Sequence, residues 1–274
     1  MTQKHHCIMP KKCEPRTIYY DRYVRYIINI LLENNVDIQY EGVNIDARYS
    51  MLVDGHTITI DYSDHPTIES SLLDCKAYFK FHCRAYHTQS NVYPFAPTSF
   101  YNWKQYAKLR NQIKYRCNND IVLNVQKPYG NALERRKHVR DILYARYKSS
   151  KNYIYSPDYQ QKHYWELISN CLVHVFVPGC YNNMLDRGHI QYLAFGCCTI
   201  SPRIVDLLPY DNKLIPGTHY IECKPDYSDL IEKIEWCKKH REICERIGKN
   251  AQKLFDQSCS PKRLWEWILS KIAK

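Results

Sequence analysis

From Tyr19 to Asn34 the apolar residues Tyr20, Tyr23, Val24, Ile27, Ile28, Leu31 and Leu32 recur at the spacing of one helical face, and Asn34-Asn35 ends the run. The period then shortens. Asp37 to Tyr40 and His56 to Tyr62 read as strands, the second rich in β-branched residues. Asp64-His65-Pro66 reads as a turn, Thr67 to Asp74 as a short helix and Ala77 to Cys83 as another strand. Tyr93-Pro94-Phe95-Ala96-Pro97 predicts an extended loop, because each proline fixes φ and withdraws a backbone donor. A helix resumes from Trp103 to Tyr115.

Beyond residue 118 the alternation becomes regular. Strands are expected at Ile121 to Val125, Asn152 to Tyr155, Cys171 to Val177, Cys197 to Ser201 and His219 to Cys223. Helices are expected at Ala132 to Arg146, Tyr159 to Asn170 and Gly188 to Phe195, the last closed by Gly196. Ser228 to Asp256 reads as one long helix with Ser228 as its N-cap. Pro261 opens a final helix whose stripe is Leu264, Trp265, Ile268, Leu269 and Ile272, with Trp267 off that stripe and free to meet the other lobe or solvent. Short apolar strands alternating with helices predict βαβ units and a parallel sheet.

The expected fold is therefore α/β, with two Rossmann-like lobes and a cleft between them. The polar stretch Cys117-Asn118-Asn119-Asp120 sets the boundary. Residues 1–118 would form the N-terminal lobe, 119–256 the C-terminal lobe, and 257–274 a helix crossing back to the first lobe. A chain of 274 residues with 45% hydrophobic positions is long enough for two cores.

Composition narrows the function. No run approaches the roughly 20 apolar residues of a membrane span. The start, MTQKHHCIMPKKCEPR, lacks the apolar core of a secretory leader, which points to a cytoplasmic protein. The 13 cysteines are scattered rather than evenly spaced, so they read as reduced, core-filling thiols. Cys197-Cys198 are adjacent in an apolar strand and ill placed to serve one metal. His5, His6, Cys7 and Cys13 do not match zinc-ligand spacing and read as a frayed terminus, so no metal is assigned. The net charge of +11 with 25 tyrosines suits either a nucleic acid or a nucleotide diphosphate.

Ligands of open parallel sheets bind beyond the carboxyl ends of strands, where loops meet helix N-termini. The loop after Cys171 to Val177 runs through Pro178-Gly179 into Asp186-Arg187-Gly188-His189 and a helix. Free N–H groups, the positive helix end and a guanidinium converge there, which suits a diphosphate. Arg187 is the first candidate, with Gly188 and His189 beside it. Lys127, in the loop after Ile121 to Val125, and Arg135 or Arg136 on the following helix could assist; a surface pair of Arg187 with Asp186 is the plain alternative.

The stretch from Leu214, LIPGTHYIECKPDYSDLIEKIEWCKKHREICERIGKNAQKLF, resembles the C-terminal segment of family 90 glycosyltransferases, the capsule-associated and protein O-glucosyltransferase group. Pro216, His219-Tyr220-Ile221, Lys224, Asp226, Ser228-Asp229-Leu230, Trp236 and Asn250-Ala251-Gln252 carry it. Asp64-His65-Pro66 resembles the family's turn that bears the catalytic aspartate, and Tyr93-Pro94-Phe95 with Trp103 its segment before the donor lobe. The family's Arg-Gly-Ser-Arg-Thr-Ser segment is replaced by Gln126-Lys127-Pro128-Tyr129-Gly130-Asn131.

The resemblance implies a two-lobed, inverting, metal-independent enzyme without a cofactor that moves glucose or xylose from a UDP-sugar to a hydroxyl of a glycan or glycoprotein, in a virus-encoded or microbial version. Asp64 would be the base, with His65 and Asp61 behind it, and Tyr93, Phe95 and Trp103 would face the acceptor. His219 and Tyr220 would orient their loop rather than touch the donor. A basic single-stranded nucleic-acid-binding protein without catalysis, or a sugar-binding module, are the competing classes; the enzyme reading expects no nucleic-acid partner.

Overall fold

The computed structural model describes residues 4–10, 24–42, 47–96, 103–112, 118–124, 127–128, 130–155, 164–165, 167–168 and 171–274. The chain divides into two compact units, one of residues 1–107, 206–213 and 256–274, the other of residues 108–205 and 214–255. Among the described residues the helices are α1 (Arg25–Glu33), α2 (Trp103–Gln112), α3 (Leu133–Tyr147), α4 (Arg187–Ala194), α5 (Leu230–Lys239), α6 (Arg241–Ser258) and α7 (Pro261–Ile272). None is long and apolar enough to cross a membrane.

The first unit holds a six-stranded mixed sheet of β1 (His6–Pro10), β2 (Asp37–Glu41), β3 (Arg48–Val53), β4 (His56–Asp61), β5 (Ala77–Lys80) and β6 (Val92–Pro94), in the order β2-β1-β3-β4-β5-β6. β3 runs antiparallel to β1 and β4, and the other neighbours are parallel. The terminal segment read as frayed is thus an interior strand: Cys7 and Met9 are fully buried, and Asp54 accepts the His6 N–H at 2.8 Å and holds His5 Nδ1 at 2.7 Å. Cys13 lies outside the described residues.

β3 and β4 form a hairpin across Asp54-Gly55, both with positive φ (50° and 82°), the twist that two-residue hairpins require. The expected helix at Thr67 to Asp74 is only a 3-10 turn at Ser70–Leu72, and the expected proline loop contains β6. Pro94 is tolerated because β6 is an edge strand.

α7 packs against α1, and Tyr26 donates its hydroxyl to the Cys259 carbonyl at 2.8 Å. Trp267, expected off the apolar stripe, is buried in this same unit, its indole N–H donated to the Pro94 carbonyl at 2.9 Å. A two-stranded ribbon of β11 (Leu207–Leu208) and β12 (Asn212–Lys213) also belongs to this unit.

The second unit is the parallel sheet that the alternation predicts: β7 (Asn118–Asn124), β8 (Tyr153–Tyr155), β9 (Cys171–Val175), β10 (Thr199–Ser201) and β13 (Ile221–Glu222), ordered β8-β7-β9-β10-β13 with every neighbour parallel. Strand order reverses between β7 and β9. Val122, Val173, Val175 and Ile200 of the sheet pack with Val139 and Leu143 of α3, Leu230 and Ile234 of α5 and Ile247 of α6 in one core.

The single long helix expected from Ser228 to Asp256 is instead α5 and α6, broken at His240 (φ −123°, ψ 49°). At the break the His240 ring donates to the Trp236 carbonyl at 2.8 Å and stacks on Trp236 with centroids 4.4 Å apart. Nor is Ser228 the N-cap. Asp229 holds that position, and its carboxylate accepts the Lys224 N–H at 2.9 Å.

Candidate functional site

In a parallel sheet whose order reverses, the loops leaving the two strands at the reversal diverge and open a crevice at their carboxyl ends. Here those loops follow β7 and β9, and arginines of α3 stitch them together. Arg136, nearly buried, donates to the Lys127 carbonyl at 3.1 Å and to the Val177 carbonyl, and its guanidinium lies 3.7 Å from the Asp186 carboxylate. Arg135 donates to the carbonyls of Pro178, Gly179 and Cys180. Both guanidinia therefore brace the loops.

At the end of the second loop Asp186 is the N-cap of α4, accepting the Gly188 N–H at 3.2 Å. A Cβ on Gly179 would lie 3.2 Å from the Asp186 carboxylate, so the glycine lets the loop close against the cap. Arg187 is the first residue of α4 and is half-buried; Lys127 is exposed. The loop is braced from below by Tyr227, which donates to Asn182 Oδ1 at 2.9 Å, while Asn182 donates to the Pro225 carbonyl at 2.7 Å. Pro178 is buried. His219 and Tyr220 serve the loop, His219 Nδ1 accepting the Ile215 N–H and the buried Tyr220 hydroxyl accepting the Ile204 N–H.

His189 lies beneath this surface. It is fully buried against Phe176 and Tyr220, with centroids 4.6 Å and 6.2 Å away, and neither ring nitrogen has a hydrogen-bond partner. Burial holds its pKa down at about 3, so the folded chain keeps it neutral. The unfolded chain takes up a proton near pH 6.5, so proton uptake costs nothing above that pH, and stability falls as pH drops from about 6.5 toward 3, by up to about 1.4 kcal/mol per pH unit. His189→Phe is expected to flatten that acid slope and hold or raise the melting temperature at neutral pH. Thermal unfolding of both proteins from pH 7 to pH 4 checks this; parallel pH profiles would contradict it.

In the first unit, β4 and β5 are parallel, with Asp61 in register with Lys80. Their carboxyl ends lead to Asp64 and His82. Asp61 itself is unavailable as a base. It is buried and receives Tyr78 Oη at 2.5 Å, the Ser63 N–H at 2.8 Å, Lys80 Nζ at 3.1 Å and Arg48 Nε at 3.2 Å. Burial pushes its pKa up, but Lys80, Ser63 and Tyr78 outweigh that and hold it below the ordinary value, while burial lowers the Lys80 ammonium. The pair is a strut that ties the two strand ends.

Asp64 is different: its side chain is 56% exposed, and its Oδ1 lies 4.0 Å from Nε2 of buried His82. His82 Nδ1 in turn meets Asp206 at 3.0 Å, and Arg84 pairs with the other oxygen of Asp206 at 2.5 Å. The Asp206 carboxylate can only accept, so Nδ1 carries the proton in that bond. His65 is exposed, and its carbonyl accepts from Ser63 Oγ.

Of the acceptor candidates, Phe95 is buried against Phe79, 5.5 Å between centroids. Tyr93 is half-buried against Trp267 with Lys271 Nζ 4.7 Å above its ring, and half-buried Trp103 packs on Tyr106. The sequence reading missed His82, Arg84 and Asp206. The available signal was Lys80 and His82 standing two apart, on one face of an otherwise apolar strand.

No family model matches the chain. It is 35% identical over 65 residues to protein O-glucosyltransferase 3 of Rattus norvegicus, covering 23% of this chain and 13% of that protein. It is 35% identical over 60 residues to O-glucosyltransferase LpsA of Dichelobacter nodosus, covering 22% and 19%. It is also 29% identical over 91 residues to uncharacterized protein 179R of Invertebrate iridescent virus 6, covering 30% and 8%. The chain spans less than a fifth of the length of these relatives. The partial similarities relate it to glycosyltransferases and to a viral protein.

Proposed function

We propose that the chain is a glycosyltransferase that moves a sugar, glucose or xylose, from a UDP-sugar to a hydroxyl of a glycan or glycoprotein, with inversion and without a metal at the reacting centre. The observation that carries the reading is the arginine-braced pair of loops at the strand reversal of the second unit, which ends in Arg187 at a helix N-terminus. The partial similarity to O-glucosyltransferases supports an activated sugar as the ligand.

The second unit takes the donor in this reading, and the first supplies the base. Asp64 accepts the acceptor hydroxyl proton as the oxygen forms its bond to the anomeric carbon. The bond from that carbon to the diphosphate breaks, and the departing charge is met by Arg187, assisted by Lys127. Asp186 shares the helix end with the ligand, so the guanidinium rather than the helix dipole supplies most of the positive charge.

UDP at 100 times its Kd should stabilise the protein by about 2.7 kcal/mol. Arg187→Ala is expected to weaken UDP binding by about 10-fold or more, the worth of a charge-assisted pair. Arg135→Ala is expected to lower the melting temperature even without UDP, because it frees three loop carbonyls. Calorimetric titration with UDP checks the first and thermal unfolding without UDP the second. Undiminished UDP binding by Arg187→Ala would remove the assignment.

A further inference from the structure

Three thiols from separate segments meet in the second unit. Cys198 precedes β10, Cys237 lies in the last turn of α5, and Cys244 lies in the first turn of α6; all are buried, and their sulfurs lie within 4.8 Å of one another. In an unbroken helix, residues seven apart are separated by about 10 Å along the axis, so Cys237 and Cys244 meet only because the chain turns at His240. A metal with bonds to sulfur of about 2.3 Å would set sulfur–sulfur edges of about 4 Å, which this triangle accommodates.

We propose that Cys198, Cys237 and Cys244 form a trithiolate site for one thiophilic divalent ion, zinc or cadmium in class, that pins the α5–α6 corner to β10. A donor set of sulfur alone selects a soft ion over magnesium or calcium. Charge decides between divalent and monovalent ions: three thiolates leave a net −1 around a divalent ion but −2 around a monovalent one, and burying the greater charge costs more. The N-terminus of the 18-residue α6 sits at Cys244 and favours negative charge there. On binding, each S–H bond gives way to a sulfur–metal bond and the three protons pass to solvent. The site shares no residue with the donor loops, so it stands whether or not the chain transfers sugars.

The test is to titrate the reduced full chain with Cd2+ without oxygen. A sulfur-to-cadmium charge-transfer band saturating at one equivalent is expected, with proton release and a raised melting temperature. Cys198→Ala, Cys237→Ala and Cys244→Ala should each abolish that equivalent, whereas Cys180→Ala should keep it. Cadmium NMR of the wild type needs no variant and should place the ion among sulfur ligands alone. No band at one equivalent, a band that survives all three substitutions, or a resonance typical of nitrogen and oxygen ligands would overturn the proposal.

Discussion

Asp64→Asn is expected to lower the transfer rate by about 10²–10⁴-fold, the usual worth of a positioned general base, while leaving UDP affinity unchanged. The side chain is more than half exposed, with His82 Nε2 4.0 Å from its carboxylate, so the amide should fit without harm to folding. His82→Gln should lower the rate less, since His82 is buried behind Asp64. Steady-state kinetics with a UDP-sugar and an acceptor, alongside UDP titration, separate the two effects. Full activity in Asp64→Asn would transfer the role of base to another group, with His82 next in line.

Gly248→Ala should be the most damaging single methyl in the second unit. A Cβ there would stand 2.1 Å from the Gly196 carbonyl oxygen and 3.0 Å from its carbon, both backbone atoms that cannot swing aside. Gly196 has no freedom to yield, because its own φ of +65° ends α4 and its Cβ position is closed by the Gly248 carbonyl at 3.1 Å. The expected loss is about 1–3 kcal/mol or more, as for other overpacked sites, read as a clear drop in melting temperature. Gly188→Ala is the control, since its Cβ would meet only Phe176 at an ordinary 3.5 Å. Equal melting temperatures for the two variants would contradict the close approach of α6 to the end of α4.

Much of the second unit could be read along the chain because its strands are buried on both faces and separated by helices, so a run such as Cys171–Val175 declares itself by apolarity alone. The loops after β7 and β9 followed from the same rule, and with them the candidate phosphate residues. What the periodicity could not show was which arginines reach the loops: Arg135 Nη2 and Arg136 Nη1 donate to loop carbonyls.

The first unit was harder because its sheet is mixed and its strands short. β1 has only five residues and two inward side chains, too few for alternation to outweigh its polar flanks. The β3–β4 hairpin was readable in principle, since Val53-Asp54-Gly55-His56 carries the Asp-Gly signal of a tight turn. The break at His240 was not, because neither proline nor glycine marks it; there a side chain bonds its own helix. The pairing of His82 with Asp206, 124 positions apart, is a product of tertiary structure that no local pattern encodes.

The most direct measurement is release of nucleoside diphosphate from a panel of UDP-, GDP- and dTDP-sugars by the wild-type chain, beside Arg187→Ala and Asp64→Asn. The account predicts slow turnover of a UDP-sugar alone, loss of donor binding in Arg187→Ala, and loss of turnover with binding retained in Asp64→Asn. Binding of no nucleotide diphosphate by the folded wild-type protein would contradict it.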